Sequence, residues 1–280
     1  MNKHPSNPLM QTTSPPWHTH PHLSRWAFIA LLLLSYGLLV SSSLQKSATV
    51  DEQSHLFRGT AYLKANATHF LWGHPLLASS FNALPLLTEP DLQLPQDDPA
   101  WHSEQWWTAA DAFLWLRNAS PLRLLFLGRL PTMWLTLLVG AMLYRWGREL
   151  GGRQMALLSA ALWLLDPNVL AHGQLITSDV ALTLCFVLTL YGTWRYAQSG
   201  SGGAPLLLAG MGLGMAGATK FNAAALLPIF GLLLAGLAVR QRRWQPLAFG
   251  LGAGVIALAV ISAVYRFNLA PCVGRFGVAV

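Results

Sequence analysis

Apolar windows of about 20 residues recur along this chain, and each is long enough to cross a hydrocarbon layer as a helix. They fall at residues 26–44, 124–144, 154–170, 178–196, 204–219, 221–239 and 247–265. Backbone polar groups inside a bilayer must be satisfied within their own segment, so seven such windows predict an all-α polytopic membrane protein with about seven transmembrane helices. Composition agrees: 53% of the 280 residues are hydrophobic, only 10% are charged, and the mean hydropathy is +0.41.

The formal charge of +7 raises nucleic acid as a partner. The Lys and Arg residues are scattered between apolar runs rather than gathered on one face, which excludes that reading. Two cysteines, Cys185 and Cys272, have neither paired spacing nor His companions, so neither a disulfide framework nor a zinc site is indicated. The polar, Pro/His-rich residues 1–25 read as a disordered cytoplasmic tail before a retained signal anchor. Within it, His18, His20 and His22 are compatible with metal binding, but a disordered Pro/His-rich tail is the favoured reading.

Short loops fix the expected orientation. With the N-terminus inside, Arg145, Arg148, Arg153, Arg195, Arg240, Arg242 and Arg243 fall on inner loops, while residues 166–179 carry no Lys or Arg. The long interval 45–123 is then a large first extracytoplasmic loop. Within it, residues 51–64 read as an amphipathic helix capped by Asp51, and residues 74–87 as a second short apolar helix, both lying along the outer interface. Residues 89–107 are rich in Pro and acid and then turn aromatic, as in a loop returning to the headgroup region.

Candidate chemistry collects at the outer ends of the spans. Asp51, His55 and Arg58 share one helical face, whereas Glu52 is turned about 100° away from Asp51. An N-terminal acid on a solvated helix with ordinary charge pairs explains the same pattern. Arg129 lies inside an apolar window, where a charge costs roughly 2–3 kcal/mol unless it snorkels or pairs. A phosphate at the outer interface suits its guanidinium fork, and a snorkelling anchor is the alternative. Asp166 precedes Pro167 as turn chemistry, and Asp179 occupies a helix first turn, where the dipole favours a carboxylate. Lys220 joins two apolar windows with no room for a solvated loop, so it points to the outer surface or into an aqueous cavity.

These elements, DEQSHLFRGTAYL at 51–63, GHPLLASSFNALPLL at 73–87, LGRLP around Arg129, LITSDVAL around Asp179 and GLGMAGATKFNA around Lys220, resemble in order and spacing the membrane-embedded GT-C glycosyltransferases. The resemblance is to the protein O-mannosyltransferase and aminoarabinose-transferase superfamily and covers roughly residues 25–265. It implies an inverting transfer of a sugar from a polyprenyl-phosphate carrier to a hydroxyl of a lipid, glycan or protein acceptor, outside a bacterial inner membrane. Asp51, with Glu52, would be the catalytic acid pair, and Arg129, Lys220 and Arg58 would hold the donor phosphate. Asp179, His55 and His74 would bind the acceptor or support the base. If a divalent cation takes part, Asp51 and Asp179 would belong to its ligand set, and oxygen ligands would favour magnesium, manganese or calcium. Members of the superfamily run on beyond seven spans, so residues 266–280 read as a truncated end. A transporter or flippase of a lipid-linked anion, or a non-catalytic lipid-binding subunit, would use the same cations. No paired halves with broken helices, as transporters show, are visible in the sequence.

Overall fold

The structure is a computed structural model that describes residues 21–70, 74–103, 105–200 and 202–267. The expected tail before residue 21, most of the His18–His22 cluster, and Cys272 lie outside the described residues. Over those described, the chain is helical with no strand. The elements are α1 (Pro21–Leu44), α2 (Val50–Ala65), α3 (Leu77–Ala83), α4 (Trp106–Asp111), α5 (Pro121–Leu164), α6 (Pro167–His172), α7 (Asp179–Ser199), α8 (Gly203–Gly217), α9 (Leu226–Gln241) and α10 (Gln245–Val264). Among the described residues, five helices are long and apolar enough to cross a membrane: α1, α5, α7, α10, and α9 together with the 3-10 turn Phe221–Ala225 before it.

Helix α5 contains both the second and third expected windows. It reverses at Gly151 and Gly152, and Gly152 takes φ 74°, a left-handed conformation that glycine adopts without a Cβ clash. The two arms then pack antiparallel. Ser159 donates to the Leu143 carbonyl at 3.1 Å, and the Trp163 indole donates to the Thr136 carbonyl at 2.9 Å. The apolar windows therefore alternate in direction, and the two ends of the bundle differ in kind.

One end carries Arg145, Glu149 and Arg195. Glu149 accepts from Arg195 and from the Tyr191 hydroxyl, which itself accepts from Arg145 at 2.8 Å. The other end carries α2, α3, α4 and their loops as a cap with its own core of Leu56, Phe57, Phe70, Trp101 and Phe113. The sequence places α2 on the membrane surface as an amphipathic helix. It is instead buried around nearly its whole circumference from Ser54 to Tyr62, because α3 covers one side and α4 another. Gly59 makes the α3 contact possible, since a Cβ there would stand 2.0 Å from the Ser79 carbonyl oxygen. At its far end α2 is tied to the last helix by the Tyr62 hydroxyl, which donates to the Val264 carbonyl at 2.7 Å.

Candidate active site at the α2 end of the bundle

The first turn of α2 sets the geometry. Its N-cap is Thr49 rather than Asp51, and Glu52, three residues on, reaches back to accept from the Thr49 N–H at 2.9 Å and hydroxyl at 3.1 Å. That reach is the reciprocal arm of a capping box. Asp51 is left exposed in the first turn, free of cap duty.

Glu52 is fully buried and forms a two-pronged ion pair with Arg129 of α5, at 2.8 Å from Nε and 2.7 Å from Nη2. Arg129, only 1% exposed, spends its other donors on the carbonyls of Ser43, Lys46 and Ser47, which follow or end α1. A guanidinium has five N–H donors, and here each meets a protein acceptor. Arg129 is thus directed at Glu52 and the α1–α2 junction rather than at an open phosphate position. The Ile176 N–H also donates to Glu52, at 3.1 Å, bringing in the segment before α7. Burial alone would raise the Glu52 carboxyl. The Arg129 hydrogen bonds, the Thr49 and Ile176 donors and the Arg129 charge hold it below its ordinary value.

On the neighbouring face of α2 a second group assembles. The His55 Nδ1 lies 2.9 Å from the Ser79 hydroxyl of α3, and its ring is parallel to that of His74 with centroids 6.0 Å apart. Arg58, buried, donates from Nε to the Phe70 carbonyl at 2.6 Å and from Nη2 to the His74 carbonyl, so it grips the chain on both sides of residues 71–73. Lys220 follows α8, and its Nζ meets Asp179 Oδ1 at the start of α7 at 2.6 Å. The Leu77 N–H donates to the Ala218 carbonyl at 3.0 Å and fixes the start of α3 beside that lysine.

These groups lie near enough to act on one another's charge. Burial, and after it the charges of Arg58, His74 and Lys220, push the His55 imidazole down to about 4 against the pull of Asp179. The His74 imidazole is lowered by burial and by Lys220 and Arg58, against Asp179 and Asp51. Burial also lowers the Arg58 guanidinium, to about 10, so it remains a cation at neutral pH. Both imidazoles are neutral there; His55 shares a hydrogen bond with Ser79, whereas the buried Nδ1 of His74 meets no partner among the described residues.

The Lys220–Asp179 pair thus lies beside the neutral His55 and His74, Asp51 stands exposed on the first turn of α2, and the Glu52–Arg129 knot lies behind that turn. Among the described residues no group of three or more His, Cys, Asp or Glu side chains stands close enough to hold a metal. Asp179 is engaged by Lys220.

Sequence reasoning missed the cap at Thr49, although its T-x-x-E signal is legible at 49–52. The carbonyls at 43, 46 and 47 and the Ile176 amide carry no side-chain signal at all. A protein-family model described as dolichyl-phosphate-mannose-protein mannosyltransferase matches residues 123–266, which run from the start of α5 through the end of α10. No curated protein and no solved structure matches the chain.

Proposed function

Because this chain belongs to the dolichyl-phosphate-mannose-protein mannosyltransferase family, we propose that it transfers a sugar from a polyprenyl-phosphate carrier to an acceptor hydroxyl on the extracytoplasmic side of the membrane. The observation that carries the reading is the Lys220–Asp179 pair beside His55 and His74, with Asp51 exposed on the first turn of α2, at the end of the bundle opposite the Arg145–Glu149–Arg195 network. The Lys/Arg asymmetry of the loops supports the sidedness.

The chemistry follows from the groups present. An acceptor hydroxyl is a poor nucleophile until its proton is removed as the new bond forms. Asp51, exposed and unencumbered, takes that proton while the acceptor oxygen attacks the anomeric carbon. The bond from that carbon to the phosphate oxygen breaks, and the carrier leaves as a lipid phosphate with the electron pair. Lys220 meets the charge developing on that phosphate, exchanging its Asp179 partner for the donor. Asp179, released, accepts from a sugar or acceptor hydroxyl. Arg58 adds a fixed positive potential from behind His74. Glu52 and Arg129 hold the first turn of α2 and so aim Asp51.

The test is transfer of labelled sugar from a panel of polyprenyl-phosphate sugars by membranes containing the 280-residue chain or its Lys220→Gln variant. The wild type is expected to use at least one donor, and the variant to lose about 10²–10³-fold in kcat if Lys220 stabilises the leaving phosphate. Transfer unaffected by Lys220→Gln removes the phosphate role. Donor binding without turnover in the wild type makes this chain a lipid-binding subunit instead.

A further inference from the structure

Where the cap meets the bundle, large apolar side chains remain in the open. Leu116 is 78% exposed, Leu122 63%, Trp115 44% and Trp107 40%. They belong to α4, the π-helical turn Ala112–Leu116 that follows it, and the first turn of α5. Trp106 and Trp107 stack with ring centroids 3.9 Å apart. Beside them, Arg117 pairs with Asp97 at 2.9 Å and Arg123 with Glu89 at 2.9 Å. Exposed indoles and leucines among arginines and acids are the side chains that partition to the boundary between headgroups and acyl chains.

The length of α5 puts this patch at that depth. From Pro121 to the reversal at Gly151 the helix runs about 45 Å at 1.5 Å per residue, whereas the hydrocarbon layer is about 30 Å thick. The surplus equals the two headgroup layers. With Arg145 and Arg148 at one end of this arm, its other end, and with it Leu122 and the adjoining π turn, falls among the headgroups. The patch is also continuous with a helix that crosses the membrane, so lipid covers it without a further partner.

The patch is wired to the site. The Trp115 indole donates to Gln53 Oε1 at 3.0 Å, and Gln53 Nε2 donates to Asp111. Gln53 lies two residues after Asp51 on the opposite side of α2, so the π turn and α4 grip the reaction-bearing helix from its back.

We propose that the corner formed by α4, the π turn and the start of α5 is an interfacial anchor that seats the cap in the phospholipid headgroup layer, independently of the reaction the site performs. The experiment uses the full chain with Cys272→Ser in nanodiscs of phosphatidylethanolamine and phosphatidylglycerol. Cys185, buried, is left in place. Spin labels are attached at Leu116→Cys, at Leu138→Cys on the lipid-facing side of α5 and at Asp91→Cys on the cap, and collisions with oxygen and with a nickel chelate are compared. The oxygen-to-chelate ratio at position 116 is expected to lie severalfold above that at 91 and below that at 138. A ratio equal to that at 91 overturns the proposal. So does immobilisation of the 116 label by a soluble oligosaccharide, which would make the patch an aqueous carbohydrate platform. Neither readout involves sugar transfer, so this inference and the proposed function fail separately.

Discussion

Glu52 and Arg129 are the residues on which the site rests most heavily, and their burial makes the consequence of separating them large. Removing one partner of a buried pair leaves the other charged and unpaired, which costs about 3–5 kcal/mol. Glu52→Gln and Arg129→Met should therefore each lower thermal stability in detergent by that order. Glu52→Leu combined with Arg129→Met, which removes both charges, should recover much of the loss. A double variant as unstable as the sum of the singles would contradict the pairing. His55 gives a second residue-scale prediction. Its folded value of about 4 lies below the ordinary imidazole value, so the unfolded chain binds the extra proton first. Stability is full above pH 6.5 and falls as pH drops from 6.5 toward 4, by of order 3 kcal/mol at full extent. His74 shifts in the same sense. Thermal unfolding at pH 7 and at pH 4.5 measures the drop, and His55→Gln should flatten it. Of these residues, Glu52 and Arg129 were legible as unusual charges near a membrane span. That they would choose each other was not, because the two are 77 positions apart and three of the Arg129 acceptors are backbone carbonyls.

At the level of elements, the contact of α2 with α3 decides whether His55 and Ser79 can meet. Adding a methyl group at Gly59 places it 2.0 Å from a backbone oxygen that cannot swing aside. Gly59→Ala should separate the helices at a cost of roughly 1–3 kcal/mol and depress sugar transfer along with stability. A variant with wild-type melting and transfer would show that the approach is looser than the structure has it. The same helix shows where periodicity runs out. Its face of Asp51, His55 and Arg58 was legible as a stripe, but a stripe does not say whether its partner is lipid, water or another helix. Here the partner is α3, at a crossing that Gly59 permits. The apolar windows fared better, because length and hydropathy are properties of one segment. α8 at 203–217 and α10 at 245–264 fall within a few residues of the windows at 204–219 and 247–265. The third apolar window extends through residue 170, whereas its helix stops at Leu164 and Asp166 caps the next one, accepting from the Asn168 and Val169 N–H groups.

For the whole molecule, the fold serves to bring short polar stretches from distant parts of the chain to one end of an apolar bundle. Asp51, His74, Asp179 and Lys220 span 170 positions and reach the same end of the bundle because the windows between them alternate in direction. That alternation was legible. The cap was not, since its core of Phe57, Phe70, Trp101 and Phe113 is built from a loop whose sequence reads as interface and turn. The account stands most directly on Asp51 as the group that accepts the proton. Rates of labelled-sugar transfer and binding of the donor should be measured side by side for the wild type and Asp51→Asn, an isosteric change at an exposed position that leaves the Glu52–Arg129 knot intact. The account predicts unchanged donor binding with kcat reduced about 10²–10⁴-fold. Transfer at the wild-type rate by Asp51→Asn would contradict it.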